Sequence, residues 1–374
     1  MEITAAVLRR SGDNPQPYGH HRPLELARLA LDPPQPGELL IRIDAAGLCH
    51  SDLSVVNGDR PRPMPMALGH EATGIVEALG STDEGGFEVG DRVILAFLPP
   101  CGECPRCNAG EPFMCSKGAA ANGEGRMLSG GRRLHELSGG EIHHHLGVSA
   151  FATRAVVDRR SAVKVDRDIP PHIAALFGCT VLTGAGAVIN SAQVRPGENV
   201  LIYGLGGVGL AALLAARASG PGILVAIDPF PEKRAIAQDL GAIALEPGDT
   251  EGLAAAFPEG GADVVIESVG KAAVLMAAYA AARRGGRIVT VGLPNPSEMF
   301  ELPAVALVAD GKTLIGSYMG SSNPARDIPR YIAMWRAGRL PVERLLTSVS
   351  PMEDINGLLD KLAAGEVIRQ VIIP

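Results

Sequence analysis

The chain has 374 residues, a hydrophobic fraction of 46% and a formal charge of −7. This length exceeds one ordinary domain, so two domains are expected. The acidic balance and the lack of a basic stripe argue against a nucleic-acid partner. Neither a secretory pattern at Met1–Arg10 nor an unbroken run of about 20 apolar residues is found in the sequence. These features predict a soluble, cytoplasmic protein.

Short β-type runs alternate with Gly- and Pro-rich turns from Met1 to about Thr180. They are Ile3–Leu8, Leu39–Ala45, Thr73–Leu79, Arg92–Phe97 and Ala152–Val157. Strands at this spacing predict an antiparallel, barrel-like domain covering residues 1–180. Gly118–Gly140, rich in Gly, Arg and Ser, is expected to be a long surface loop.

The pattern changes between residues 181 and 319. Short apolar runs typical of buried parallel strands are separated by Ala- and Leu-rich helical stretches; they are Val200–Tyr203, Leu224–Ile227, Val264–Ile266, Ile288–Val291 and Leu314–Ile315. This alternation predicts an α/β domain with a parallel sheet. Residues 320–374 are too few for a third domain, so we expect them to return and complete the first domain.

A glycine-rich turn follows the first strand of the α/β region and leads into a helix. It consists of Gly204, Leu205, Gly206, Gly207, Val208 and Gly209. Such a turn lets a pyrophosphate approach the helix N-terminus, and Asp228, at the end of the next strand, can accept hydrogen bonds from a ribose. Its carboxylate would repel a 2′-phosphate, so the pattern favours NAD over NADP. A turn without a ligand, or with another nucleotide, is the less favoured interpretation.

Four of the six cysteines lie within 15 residues. They are Cys101, Cys104, Cys107 and Cys115. Four thiolates can close a tetrahedral zinc site with no open position, which would support structure rather than chemistry. Disulfides are disfavoured in a reducing cytoplasm, and an iron–sulfur cluster usually has a different spacing. We therefore predict a structural zinc here.

The other two cysteines, Cys49 and Cys179, lie far apart in the sequence. Each alone is more often an apolar core residue. However, Cys49 begins a Cys-His-Ser-Asp segment, and His70 and Glu71 follow about twenty positions later. Two thiolates and one imidazole would leave one coordination position open, the pattern of a catalytic zinc.

These motifs together resemble the zinc-containing alcohol dehydrogenases of the medium-chain dehydrogenase/reductase superfamily. The matching segments occur in the family's order along nearly the whole chain. They are Gly47–Asp52, Gly69–Glu71, the four-cysteine group, Phe177–Thr180, Gly204–Gly209, and Gly365 with Arg369. The resemblance implies a GroES-like, mainly β catalytic domain formed by residues 1–180 and 320–374, with an inserted Rossmann NAD-binding domain at 181–319.

The resemblance also assigns the metal and catalytic residues. It implies that Cys49, His70 and Cys179 bind the catalytic zinc, with Glu71 behind it, and that Asp52 orients His70. Ser51 would accept the alcohol's proton. The family often has a relay histidine where Ser54 stands in this chain, so either His50 substitutes for it or the proton leaves through water. We hypothesise that His50 relays the proton as well as contacting phosphate.

Further residues are assigned to the cofactor and the substrate by the same resemblance. The expected cofactor contacts, besides His50, the glycine turn and Asp228, are Thr183, Lys233, Val269, Val291, Leu293 and Arg369. The expected substrate-pocket residues are Arg60, Phe97, His145, Leu293 and Tyr318. We interpret the run 143–145, three histidines, as a polar loop edge rather than a third metal site.

The expected activity is reversible hydride transfer between a primary or secondary alcohol and NAD, with two zinc ions per chain. The small Ser51 is compatible with aromatic, allylic or branched primary alcohols and does not select among them. Two other functions remain open, an S-(hydroxymethyl)thiol (formaldehyde) dehydrogenase and a non-catalytic protein that binds NAD and zinc. The first would require loop arginines such as Arg60, Arg126, Arg132 and Arg133 to hold a thiol's tail. By analogy we expect a homodimer, with a homotetramer as the alternative.

Overall fold

The computed structural model describes residues 1–82 and 84–374. Its strands, in chain order, are β1 Glu2–Leu8, β2 Leu24–Leu31, β3 Glu38–Leu48, β4 Met66–Ala67, β5 Ala72–Leu79, β6 Arg92–Leu95, β7 Leu134–Glu136, β8 Glu141–His144, β9 Arg154–Asp158, β10 Ala162–Val165, β11 Val200–Tyr203, β12 Leu224–Ile227, β13 Ile243–Leu245, β14 Ala262–Glu267, β15 Ala282–Thr290, β16 Thr313–Gly316, β17 Leu346–Pro351 and β18 Arg369–Ile373.

The α-helices are α1 Tyr18–His21, α2 His50–Val56, α3 Pro105–Asn108, α4 Ser116–Gly123, α5 Pro171–Ala174, α6 Thr180–Gly186, α7 Gly207–Ala218, α8 Pro231–Asp239, α9 Thr250–Ala256, α10 Ala272–Ala281, α11 Ala304–Asp310, α12 Pro324–Arg336 and α13 Ile355–Ala363. A π-helical segment, Ala187–Ala192, continues α6. The chain divides into two compact units, one made of residues 1–179, 323–329 and 346–374, the other of 180–322 and 330–345.

The first unit is mainly β. Strands β1, β2, β7, β8 and β4 form a closed barrel, and a second sheet has the order β10-β6-β5-β3-β18-β17, with β9 paired to β3. Most of the strand pairs are antiparallel; β4–β8 and β17–β18 are parallel. Apolar side chains of alternating strand positions fill the core, as in Leu39, Ile41 and Ile43 of β3. The predicted barrel-like domain is confirmed.

The second unit is a parallel sheet with helices. Its six strands have the order β13-β12-β11-β14-β15-β16, and every neighbouring pair is parallel. Counted from β11, this is the order 3-2-1-4-5-6 of the Rossmann fold. β11 and β12 are short apolar runs that are almost entirely buried, as expected of strands covered on both faces. The predicted α/β domain is therefore confirmed.

Residues 320–374 were predicted to complete the first domain, and part of this segment belongs to the second unit instead. Residues 330–345 pack with the second unit. Leu340, Val342 and Leu345 are fully buried there, and Arg344 pairs with Asp239 of α8 at 3.1 Å. Burial of these apolar side chains holds the segment in place, and a length argument alone does not detect it.

The predicted long loop at Gly118–Gly140 is wrong in part. Residues 118–123 belong to α4 and residues 134–136 form β7. Arg133 donates two hydrogen bonds of 2.9 Å to the carboxylate of Glu38, which is fully buried, and Ser129 Oγ donates a third at 2.7 Å. A buried carboxylate requires such partners, so the segment is held against β3 by a pairing that composition does not reveal.

No single helix among the described residues is both long and apolar enough to cross a membrane. A bent pair, 171–177 with 180–192, meets the length and composition requirements together. Most of the side chains in these two segments are buried within the protein.

Candidate functional site

The candidate metal centre of the first unit brings together residues from three separate parts of the chain. Potential ligand atoms of Cys49, His70, Glu71 and Cys179 lie within 4.8 Å of one another, and all four residues are buried. The predicted ligand set is thus assembled by the fold.

Cys49 occupies the junction between β3 and α2. It is the N-cap of α2, and its backbone N–H donates to Asp52 Oδ2 at 3.0 Å while its side chain accepts from the helix backbone. This reciprocal arrangement is a capping box with Cys in the place of Ser or Thr. The cap holds the sulfur at the site and brings Asp52 next to it.

His70 and Glu71 lie between β4 and β5, at a point where the backbone is tightly packed. Gly69 has a φ of +95°, and a Cβ there would lie 2.4 Å from the Phe151 nitrogen. A Cβ at Gly47 would lie 2.8 Å from the Glu71 carboxyl carbon. Only glycine fits at both positions, so these glycines allow the two side chains to approach Cys49.

The ring orientation of His70 is set by Asp52. His70 Nδ1 lies 3.0 Å from Asp52 Oδ1, and both residues are buried. Nε2 of His70 has no hydrogen-bond partner among the described residues. A buried nitrogen without a partner is costly, but here it belongs to the group of thiolate and carboxylate donors, where a bound cation would satisfy it. The residues therefore fit zinc.

The electrostatics favour an ionised Cys49 and an ionised Asp52. The hydrogen bond with Cys179 is the main cause that lowers the pKa of Cys49, with help from Arg369 and His70, while the pKa of Cys179 is raised. Burial would raise the pKa of Asp52, but His70 and His145 outweigh it and lower that pKa to about 2. Asp52 is thus a carboxylate at neutral pH.

The residues expected to move the proton lie at the start of α2. Ser51 Oγ is 3.8 Å from Cys49 Sγ. Ser54 Oγ donates to the His50 carbonyl at 2.8 Å, so its hydroxyl hydrogen is already engaged with the helix backbone. His50 is exposed. The start of α2 thus places the Ser51 hydroxyl near the Cys49 sulfur and leaves the His50 side chain exposed.

The four-cysteine group also assembles. Ligand atoms of Cys101, Cys104, Cys107 and Cys115 lie within 4.8 Å, and all are free of disulfides. Backbone N–H groups point at the sulfurs, with Cys101 N to Cys115 Sγ at 3.2 Å and Gly118 N to the same sulfur at 3.3 Å. Such donors stabilise thiolates. The geometry fits a closed zinc site.

The glycine turn of the second unit has the shape that a dinucleotide site requires. Gly204 has a φ of +86°, and a Cβ at Gly209 would lie 1.8 Å from the Gly204 oxygen. Gly206, the N-cap of α7, has open space where a Cβ would stand and supplies no side-chain cap. The first helical N–H groups therefore remain available to an anion.

Asp228 is buried at the end of β12 and holds the glycine turn. Oδ2 accepts from Leu205 N at 2.7 Å and Oδ1 from Phe230 N at 2.9 Å. A carboxylate retains further acceptor positions, so these bonds leave capacity for a ribose. Lys233 lies with its ammonium 4.7 Å from the Phe230 ring, and burial lowers its pKa.

Glu267, at the end of β14, is a site residue that was not predicted from the sequence. Its Oε1 accepts from Val269 N and Gly270 N, both at 2.7 Å, and its Oε2 accepts from Thr290 Oγ1 at 2.7 Å. Val291 N donates to the Glu267 carbonyl at 2.9 Å. The sequence did contain a signal for Glu267: it is a polar residue at the carboxyl end of a predicted parallel strand, the edge at which such sheets bind ligands.

The remaining predicted residues are distributed over both units. Thr183 is largely buried in α6, while Leu293 and Tyr318 are exposed; all three belong to the second unit. Arg60 donates its backbone N–H to the Ser54 carbonyl, and Phe97 packs edge-on against His70 at 5.7 Å. The substrate channel itself stays a prediction.

The interpretation of residues 143–145 as a polar loop edge is wrong, because His143 and His144 belong to β8 and the side chains of His144 and His145 are buried. His144 and His145 are each 1% exposed. His144 Nε2 accepts from Arg133 N at 3.1 Å, and His145 Nδ1 lies 3.2 Å from Asp52 Oδ1. Polarity alone predicts exposure, but paired imidazoles can be buried.

Two segments of the chain match known protein families. Residues 35–167 match the model of the alcohol dehydrogenase GroES-like domain, and residues 207–336 match that of zinc-binding dehydrogenases. The chain is thus an alcohol dehydrogenase-like oxidoreductase. It belongs to the zinc-type medium-chain dehydrogenase/reductase family, as the resemblance predicted.

Individual relatives extend over the full chain. A geraniol dehydrogenase of Castellaniella defragrans is 37% identical, covering 100% of this chain and 98% of its own. Alcohol dehydrogenase-like 7 of Arabidopsis thaliana is 33% identical, covering 100% and 95%. The crystal structure of benzyl alcohol dehydrogenase from Acinetobacter calcoaceticus is similar with a TM-score of 0.91 and 32% identity, covering 100% and 99%.

Proposed function

We propose that this protein is an NAD-dependent zinc alcohol dehydrogenase that reversibly converts a primary or secondary alcohol to an aldehyde or ketone. The observation that carries the proposal is the buried cluster of Cys49, His70 and Cys179, in which His70 Nε2 has no hydrogen-bond partner among the described residues. Three such donors leave one position of a tetrahedral ion open.

The chain would hold two zinc ions in different ways. Cys49, His70 and Cys179 would hold the catalytic ion, with Glu71 behind it, and the four-cysteine group would hold the structural one. When bound, the catalytic ion lowers the pKa of an alcohol at its open position. Asp52, through His70 Nδ1, keeps the ligand ring oriented.

Ser51 would take the proton that the alcohol releases. Its hydroxyl lies next to Cys49, and a hydroxyl can accept one proton while donating its own. Because the hydroxyl hydrogen of Ser54 is engaged with the His50 carbonyl, we assign the next step to the imidazole of His50, which is exposed and can release the proton to solvent.

The NAD assignment rests on the second unit. The turn 204–209 and the start of α7 suit a pyrophosphate, and Asp228 suits a ribose with free hydroxyls. The cofactor supplies the hydride acceptor. Lys233, Val269, Val291, Leu293, Thr183 and Arg369 remain proposed cofactor contacts.

An aromatic or allylic alcohol is the substrate class that we favour. Two relatives over the full chain are a geraniol dehydrogenase and a benzyl alcohol dehydrogenase, and the small Ser51 leaves room beside the zinc ligands. Arg60, Phe97, His145, Leu293 and Tyr318 remain the proposed pocket residues.

The decisive experiment measures initial rates of NADH formation with benzylic, allylic, aliphatic and secondary alcohols, alongside the zinc content per chain. We expect the highest kcat/KM with benzyl alcohol or geraniol and NAD, and two zinc ions per chain. No NADH formation with zinc-loaded protein across the panel would contradict the function. A preference for NADP would contradict the role of Asp228.

A His50→Gln variant tests the proton path. If His50 relays the proton as a general base, its loss should lower kcat and change the shape of the pH–rate profile. Ser54→Ala serves as the control, because its hydroxyl hydrogen faces a backbone carbonyl and the pH–rate profile should not change. An unchanged profile in His50→Gln would refute the relay.

The S-(hydroxymethyl)thiol alternative gains no support from three of the four arginines named for it. Arg126 pairs with Glu124, Arg132 with Glu141, and Arg133 with Glu38. A formaldehyde assay with and without added thiol separates the S-(hydroxymethyl)thiol activity from alcohol oxidation. The proposed homodimer rests on the resemblance alone, and the cytoplasmic location rests on the sequence features described above; light scattering in solution tests the first.

A further inference from the structure

The imidazole of His145 lies against the candidate metal centre although it is not one of the ligands. It is 1% exposed, its Nδ1 is 3.2 Å from Asp52 Oδ1, and its ring packs edge-on against the His70 ring with 5.4 Å between centroids. Asp52 Oδ1 is therefore close to two imidazole nitrogens, since His70 Nδ1 lies 3.0 Å away.

The contact between His145 and Asp52 is close but not aligned as a hydrogen bond. No aligned hydrogen-bond partner for Nδ1 of His145 is found among the described residues. A buried N–H without a partner is costly, and χ2 is a soft torsion about which the ring can turn Nδ1 towards Asp52 Oδ1. Because a carboxylate only accepts, its presence selects the tautomer with the proton on Nδ1.

The backbone after His145 holds this ring in place. Leu146 and Ser149 have φ values of +51° and +52°, which are unfavourable for residues with a side chain. The turn is held by His145 N donating to Ser149 Oγ at 2.9 Å and by Ser149 Oγ donating to the Ala67 carbonyl at 2.8 Å. Hydrogen bonds thus over-determine the backbone that positions His145.

The three residues Asp52, His70 and His145 could also be read as a second cation site. That reading fails on the donor atoms. His70 Nδ1 uses its proton in the bond to Asp52, and a nitrogen that carries a proton has no lone pair for a metal. The cluster is better described as one carboxylate shared by two imidazoles.

We propose that His145 is a positioning residue, which donates from Nδ1 to Asp52 and thereby, through that carboxylate, fixes the ring of His70. The proposal rests on the function proposed above insofar as it takes His70 as a zinc ligand. Two donors hold the carboxylate in one rotamer, and partners of a ligating histidine typically contribute 10- to 100-fold to metal affinity.

The test compares zinc release from His145→Phe and His145→Asn. Phe keeps the ring volume and the edge-on packing but has no donor, whereas the Asn amide places an N–H near the position of Nδ1. Zinc release is followed with the chelator 4-(2-pyridylazo)resorcinol, after circular dichroism has shown that each variant is folded. The zinc of the four-cysteine group is the internal reference.

We expect about tenfold faster release from the catalytic site in His145→Phe, rescue to within about threefold of wild type in His145→Asn, and unchanged release from the four-cysteine group. Asp52→Asn should accelerate release on its own, and adding His145→Phe to it should have little further effect, since both act through one carboxylate. Wild-type release in His145→Phe, or fully additive effects, would overturn the proposal.

A purely substrate-lining role gives a different result. It would change KM for the alcohol in His145→Phe and leave zinc release at the wild-type rate, which overturns the positioning role. Because zinc release needs no alcohol turnover, the comparison also separates this proposal from the proposed function: wild-type protein that oxidises no alcohol rejects the latter alone.

Discussion

Arg369 and Glu71 form a buried pair beside the candidate catalytic zinc ligands, with Arg369 Nη1 3.6 Å from Glu71 Oε2 and the two side chains 4% and 0% exposed. The same nitrogen donates to the Leu48 carbonyl at 2.7 Å. The pKa of Arg369 is raised, because Glu71, Cys49 and Cys179 outweigh the effect of burial. The guanidinium thus supplies positive charge beside the Glu71 carboxylate and the Cys49 thiolate.

Replacing Arg369 with Leu should destabilise the protein by about 3–5 kcal/mol, since it leaves the Glu71 carboxylate buried without its partner. The free energy of unfolding in urea measures the loss. Adding Glu71→Gln to Arg369→Leu should recover part of it. As a control, Arg28→Leu breaks an ion pair whose arginine is 72% exposed and should cost less than about 1 kcal/mol. Equal losses at the two positions would contradict the buried pair's importance.

Replacing Asp228 with Asn should shift the cofactor preference. Loss of a hydrogen bond to a charged group, about 1.5–3 kcal/mol, lowers kcat/KM for NAD by about 10- to 150-fold, and loss of the negative charge favours NADP. The ratio of kcat/KM for the two cofactors measures the shift. Asp239→Asn, at the exposed end of α8, should leave the ratio unchanged. A constant ratio in Asp228→Asn would remove that residue from the cofactor site.

Replacing Cys107 with Ser should remove the structural zinc alone. We expect zinc content to fall from two ions to one and the Tm to drop, because a metal that binds only the folded state stabilises it. Elemental analysis and calorimetry provide the two readings. Met114→Ser changes an exposed side chain in the same segment and should preserve both. If Cys107→Ser retained two zinc ions, the four-cysteine assignment would be wrong.

Protonation of His144 should make the free energy of unfolding depend on pH. Burial, then Arg133 and Arg132, lower its pKa to about 3, so the unfolded chain binds the proton more readily than the folded one. The contribution of His144 to the free energy of unfolding is fully present above the pKa of about 6.5 that a histidine has in the unfolded chain. It is lost as the pH falls towards 3. Between pH 6.5 and 5.5 the loss is about 1 kcal/mol by this linkage.

His144→Gln keeps an acceptor for Arg133 N and removes the titration. Its unfolding free energy should therefore fall less steeply over that pH interval than that of the wild type, while protonation of zinc ligands affects both proteins alike. Chemical denaturation at several pH values measures the difference. Identical slopes would show that His144 is not kept neutral by the fold.

Local patterns predicted the features that depend on neighbours in the sequence. The strands β11 and β12 matched their apolar runs, because a strand buried on both faces needs little more than a short apolar run. The four-cysteine group and the turn at Gly204 were also recognised, since their ligand spacing and backbone conformation are set within a few residues.

The sequence by itself thus determined the two-part architecture, the family and the ligand types. Only the tertiary structure decided how distant polar groups are paired: Arg369 with the Leu48 carbonyl, 321 positions away, Glu38 with Arg133, 95 positions away, and Asp52 with both His70 and His145. Burial makes these pairs necessary, because an isolated polar group in the interior is costly. Which groups become partners depends on their proximity in the folded chain. Hydrophobic periodicity and composition do not reveal that proximity.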